Sequence, residues 1–140
     1  MVKRKSILIV LLLLSFFAAA TGATTRKPVV AGGFYPAEPA ALRQLVAQHL
    51  DNVKDSPVIE GKIVALIVPH AGLVYSGQIA AHSYKLLEGS GFDKVILCGP
   101  SHRYPFRGIS VYGPEVTWQT PLGNITCADQ LCRSLISFDP

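Results

Sequence analysis

Two short apolar runs, residues 62–68 (KIVALIV) and 94–98 (KVILC), each stop at a residue that breaks regular structure, and each leads into a histidine. Continuous stretches rich in Val and Ile suit strands buried on both faces of a parallel sheet, because a strand with one wet face alternates polar and apolar residues instead. Pro69 ends the first run, and Gly99 with Pro100 ends the second. Between them Ile79, Ala80, Ser83, Leu86 and Leu87 recur at helical spacing, and Gly89 to Gly91 closes that helix. Strand, helix, strand with short links reads as a right-handed βαβ unit. The expected fold is therefore α/β, a mostly parallel sheet with flanking helices.

The flanking segments add weaker signals. Leu42, Leu45, Val46 and Leu50 form an apolar stripe that predicts an amphipathic helix over residues 38–53, with Arg43, Gln44 and Gln48 on its other face. Residues 24–36 mix charge, Gly, Pro and aromatics and read as irregular. Residues 52–61 read as a polar loop with Pro57, 107–112 as a weak strand, 113–123 as turn-rich around Trp118, and 127–136 as a last helix. Trp118 is expected to be a packing anchor.

The first 23 residues stand apart from the rest. Basic Lys3, Arg4 and Lys5 precede an uncharged apolar run from Ser6 to Ala20, and small residues follow it. This is the three-part pattern of a signal peptide, with cleavage expected after Gly22 or Ala23. The run is shorter than the roughly 20 apolar residues a membrane span prefers. The expectation is a signal peptide at 1–23, a single domain at 24–140 and an exported protein, membrane-anchored only if the signal stays uncleaved. Without the signal, ten basic residues face nine acidic ones, so the net charge of +4 falls to +1. No basic run interleaved with aromatics remains, which argues against a nucleic-acid partner.

In an open α/β sheet, ligands gather at the loops following the carboxyl ends of the strands. The sequences Pro69-His70-Ala71-Gly72 and Gly99-Pro100-Ser101-His102 should therefore meet on one rim, where two imidazoles supply half of a transition-metal ligand set. A third ligand is not placed by spacing; Asp129, Glu115 and Cys127 qualify by residue type alone. Tyr75 and Ser101 are candidates to line the same rim. Ser101 beside His102 also raises a nucleophile and base, but the Gly-x-Ser-x-Gly elbow is absent. Residues 72–77 (GLVYSG) precede a helix and offer amides to an anion without the Lys of a phosphate-binding loop. His49 and His82 are expected on helix surfaces or in local hydrogen bonds. Cys98 reads as a buried small hydrophobe. Four residues separate Cys127 and Cys132, a spacing that suits a disulfide or two neighbours on one helical face.

Four motifs in order, Ala31-Gly32-Gly33-Phe34-Tyr35-Pro36, Pro69-His70-Ala71-Gly72 with Tyr75-Ser76-Gly77, Gly99-Pro100-Ser101-His102 and Thr120-Pro121-Leu122-Gly123, resemble the Memo family. Its bacterial and archaeal members are called AmmeMemoRadiSam system protein B. The resemblance implies a fold similar to the class III extradiol dioxygenases, enzymes that use non-haem iron, and it implies metal-ligand roles for His70 and His102. The family's further ligand, a Cys, and a further active-site His come from a later part of a longer chain. None of Cys98, Cys127 and Cys132 stands in that later ligand's place, so the fold is expected to be incomplete: either the chain is a fragment or a truncated reading frame, or another chain completes the site. An incomplete sheet leaves an unpaired edge, from which marginal stability or self-association is expected. The export signal is a departure, since family members are mostly cytoplasmic.

The leading expectation is a Memo-like metal-binding protein related to non-haem iron dioxygenases, holding Fe2+, or copper or zinc, through His70 and His102, with metal-dependent redox activity on a small-molecule substrate. The alternatives are a non-catalytic module that binds a peptide or small anion, and an inactive truncated fragment.

Overall fold

The computed structural model describes residues 24–138 apart from 56 and 114, so the expected signal peptide at 1–23 lies outside the described residues. The order of elements is β1 (Thr24–Arg26), α1 (Pro39–Asp51), α2 (Leu73–Lys85), β2 (Val116–Thr120), β3 (Gly123–Thr126) and α3 (Asp129–Phe138). Strands β1, β2 and β3 form a mixed sheet in that order. The β1–β2 pair is parallel, with Arg26 opposite Trp118, and the β2–β3 pair is antiparallel, with Trp118 opposite Ile125. The fold is thus a small α/β arrangement whose parallel pair is joined by a long crossover carrying α1 and α2, as parallel pairing requires.

Helix α1 starts where its sequence says it should. The Glu38 carboxylate accepts the backbone N–H groups of Ala40 and Ala41, at 2.9 and 2.6 Å, and Pro39 fills the first helical position, where a missing N–H costs nothing. Helix α1 packs on α2, and the buried apolar side chains among the described residues are Leu42, Val53, Ala80 and Ala81. The buried stripe of α2 differs from the expected one. Ile79 is 64% exposed, and the inward positions are Gly77, Ala80 and Ala81. Small residues there let the helices approach closely: a Cβ on Gly77 would lie 2.8 Å from Nε2 of His49. His49 bridges the helices, its Nδ1 3.2 Å from Oε1 of Gln78, whose amide nitrogen donates to the His49 carbonyl at 3.1 Å.

The βαβ expectation is corrected in part. Its helix forms, as α2, but residues 62–68 and 94–98 pair with no strand among the described residues. The reason is physical: a strand of a sheet exists only where a neighbouring chain takes up its N–H and C=O groups. Here residues 94–98 lie bare and 62–68 are only partly covered, with Ile67 fully exposed and Leu97 85% exposed. Cys98 is exposed as well, not buried as expected. The weak strand at 107–112 does not form, and the segment read as turn-rich contains β2.

Thr120-Pro121-Leu122-Gly123 is the turn between β2 and β3. The Thr120 hydroxyl accepts the Leu122 N–H at 3.1 Å and donates to the Gly123 carbonyl at 2.9 Å. Trp118 is the anchor of the sheet, as expected. The Arg26 guanidinium lies 4.0 Å over its ring and the Tyr112 ring meets it edge-on at 4.7 Å, while Arg26 Nε donates to the Tyr112 hydroxyl at 3.0 Å. Among the described residues no helix is long and apolar enough to cross a membrane.

Candidate metal centre

His70 and His102 are brought together although 32 positions separate them: their Nε2 atoms lie 3.2 Å apart, with ring centroids at 5.3 Å and planes tilted by 45°. Each imidazole therefore presents the same nitrogen to a common point. Neither run before the histidines carries ladder hydrogen bonds, so the loops themselves hold the geometry. On the His70 side, the Leu73 N–H donates to the Phe34 carbonyl at 2.8 Å, and Gly72 lies so close to Phe34 that a Cβ would stand 3.1 Å from that oxygen. The Gly-Gly-Phe-Tyr-Pro segment is thus the floor under the histidine loop. The Ser76 hydroxyl donates to the Ala71 carbonyl at 3.2 Å and closes the turn from inside the helix.

On the His102 side, the Ser101 hydroxyl donates to the Tyr104 carbonyl at 2.7 Å and accepts the Tyr104 N–H at 3.3 Å. Those bonds make Ser101 a shaper of the loop and leave the nucleophile reading without a base, because the His102 nitrogen faces His70. Tyr75 sits in the first turn of α2 with its side chain 84% exposed. Phe34 and Tyr104 act through their backbone, which residue type does not reveal. The signal available in the sequence was Gly72, a residue without a side chain directly before a helix.

The separation of the two nitrogens fits a shared metal ion. Two nitrogens each about 2.1 Å from one ion and about 90–109° apart around it are separated by roughly 3.0–3.4 Å. The observed 3.2 Å falls in that window. The same distance suits an Nε2–H···Nε2 hydrogen bond between a donor and an acceptor tautomer, so the pair is held together in either state.

The residues considered as a third ligand are not brought to this point. The Asp129 carboxylate accepts the Glu115 N–H at 2.9 Å, and Glu115 faces Arg133 at 3.7 Å, both at the start of α3. Cys127 neighbours Trp118 and Cys132. Among the described residues, no group of three or more His, Cys, Asp or Glu side chains gathers in one place. These side chains serve the β2–α3 junction instead.

A small α/β protein with two histidines converging from separate loops is the class that fold and site define. Comparison with known proteins gives the family. Residues 26–140 match the family described as Memo-like protein, and the chain belongs to it. It is 37% identical over 108 residues to a MEMO1 family protein of Thermoplasma acidophilum, covering 77% of this chain and 39% of that one. A MEMO1 family protein of Methanobrevibacter smithii is 40% identical over 120 residues, covering 79% and 42%. One from Methanocaldococcus jannaschii is 38% identical over 117 residues, covering 77% and 40%. The chain spans about two fifths of the length of these relatives. No solved structure matches it.

Proposed function

We propose that the chain holds a divalent transition metal between Nε2 of His70 and Nε2 of His102, iron(II) first and copper or zinc as alternatives, and that the resulting centre acts on a small organic substrate. The observation that supports this reading is the 3.2 Å separation of the two nitrogens. An ion held there supplies Lewis acidity and, for iron or copper, redox capacity, with its remaining positions open. The chain's own contribution is orientation. Phe34 and Gly72 fix the loop before α2, Ser101 fixes the loop of His102, and both imidazoles offer an unprotonated Nε2 when they bind. Tyr75, in the first turn of α2, offers an exposed phenol to a polar substrate in this reading.

The finer fold belongs to the same proposal: an extradiol dioxygenase-like arrangement in which residues 62–68 and 94–98, unpaired here, run side by side toward one rim. Their convergence on one histidine pair supports it, since side-by-side strands deliver their following loops to one rim. The signal-like pattern of residues 1–23 supports export of the mature chain.

The test is metal content of the anaerobically purified chain lacking residues 1–23, beside a His70→Ala, His102→Ala variant whose fold is checked by circular dichroism. Stoichiometric iron, copper or zinc that is lost only in the variant is the expected result. A folded, metal-free chain overturns the proposal.

A further inference from the structure

A second cluster of reactive side chains lies where β3 passes into α3. Cys127 follows the last residue of β3, and its N–H continues the ladder by donating to the Val116 carbonyl at 3.1 Å. In the β2–β3 register, Val116 thus faces Cys127 and Trp118 faces Ile125. Trp118 and Cys127 are therefore diagonal neighbours on one face of the sheet, within reach of each other's side chains. Ala128 caps the next helix, because the Cys132 N–H donates to its carbonyl at 3.0 Å. With Ala128 as the cap, Cys127 precedes it and Cys132 is the fourth residue of α3. These are the two positions whose side chains meet across the start of a helix, commonly as an apolar staple. Here the staple is made of two thiols, both free and both half-buried.

We infer that Cys127 and Cys132 form a redox latch: a dithiol that a low-molecular-weight disulfide converts to an intramolecular disulfide, pinning the first turn of α3 to the edge of the sheet beside Trp118. The chemistry is thiol–disulfide exchange. The Cys132 sulfur attacks one sulfur of the small disulfide, the bond between the two oxidant sulfurs breaks, and one small thiol leaves. The Cys127 sulfur then attacks the Cys132 sulfur of the mixed disulfide, and the second small thiol leaves. Two protein thiols lose two electrons and two protons, and the small disulfide takes up both. Burial first, then the charge of Cys132, pushes the Cys127 thiol above its ordinary pKa of 9.0; Trp118 acts the other way and the Asp129 carboxylate adds to the rise. The exchange balances equally with either sulfur attacking first, and because the attacking form is the thiolate, closure accelerates as pH rises.

This latch stands apart from the histidine pair and does not depend on it. Trp118 is the sole tryptophan, so its emission reports on the sulfur beside it. The test titrates the full chain, carrying Cys98→Ser to remove the remaining thiol, with mixtures of oxidised and reduced glutathione. Expected are the loss of both thiols together, a mass lower by two hydrogens without a glutathione adduct, and a change in Trp118 emission that dithiothreitol reverses. Cys127→Ser and Cys132→Ser should each prevent the two-hydrogen mass loss and leave a single glutathione adduct on the other cysteine. The inference is overturned if the Cys98→Ser chain keeps both thiols or accumulates stable glutathione adducts. It is also overturned if the emission change of the Cys98→Ser chain develops without the two-hydrogen mass loss.

Discussion

At the scale of single residues, the side chains that matter most do so through backbone partners. Gly72 is required by the Phe34 carbonyl, which a Cβ would approach to 3.1 Å. Backbone oxygen cannot swing aside as a side-chain tip can, so Gly72→Ala is expected to destabilise the chain by about 1–3 kcal/mol, as overpacking does. Because the same contact seats the loop of His70, metal affinity should fall with it. Urea unfolding and metal titration of the variant check both, and an unchanged midpoint with unchanged affinity would contradict the role given to Phe34. Glu38 makes a pH prediction. Its bonds to the Ala40 and Ala41 N–H groups hold its carboxyl below the ordinary 4.5. A lowered folded pKa means the cap contributes fully above the ordinary value, and the contribution is lost as pH falls through the lowered one. Far-UV circular dichroism should therefore show helix lost on acidification more steeply in the native chain than in Glu38→Gln. Matching curves would remove the cap from the account.

Among the elements, legibility followed the range of the interactions. Helix α1 was readable because what announces it is local: an apolar stripe with polar residues opposite. Helix α3 was readable within two residues for the same reason. Strands β1 and β2 were not, since Thr24 finds Val116 across most of the chain and no local pattern announces that pairing. The β2–β3 hairpin was missed because Gly113, Pro121 and Gly123 dominated the reading of a segment whose Val116, Thr117 and Trp118 favour a strand. The histidine pair was legible because each residue follows a strong apolar run. The floor beneath it was not, being built from the Phe34 carbonyl.

The α1–α2 interface carries its own prediction. In Gly77→Ala a gain of about 1 kcal/mol in helix propensity is opposed by a clash with His49 that costs about 1–3 kcal/mol. The variant should be less stable than the native chain. In a His49→Ala background, where the ring at 2.8 Å is gone, the same substitution should stabilise. A double-mutant cycle by urea unfolding measures this, and equal effects in both backgrounds would contradict the packing described.

For the molecule as a whole, the balance of buried and bare surface dominates. Among the described residues the buried apolar side chains are Leu42, Val53, Ala80 and Ala81, whereas Val64, Ile67, Val95 and Leu97 lie exposed on the two runs that lead to the histidines. Apolar, β-branched runs with unpaired backbone groups template pairing with other chains. Sedimentation velocity should show concentration-dependent association, reduced by Ile67→Lys with Leu97→Lys; a native chain that sediments as a monomer at all concentrations would contradict this.

The central claim is that the two histidines are neighbouring ligands of one ion. X-ray absorption fine structure of the metal-loaded chain tests it most directly. The account predicts two imidazole ligands at about 2.1 Å, both lost in a folded His70→Ala, His102→Ala variant. Coordination by oxygen alone, or an imidazole signal that persists in the variant, would contradict it.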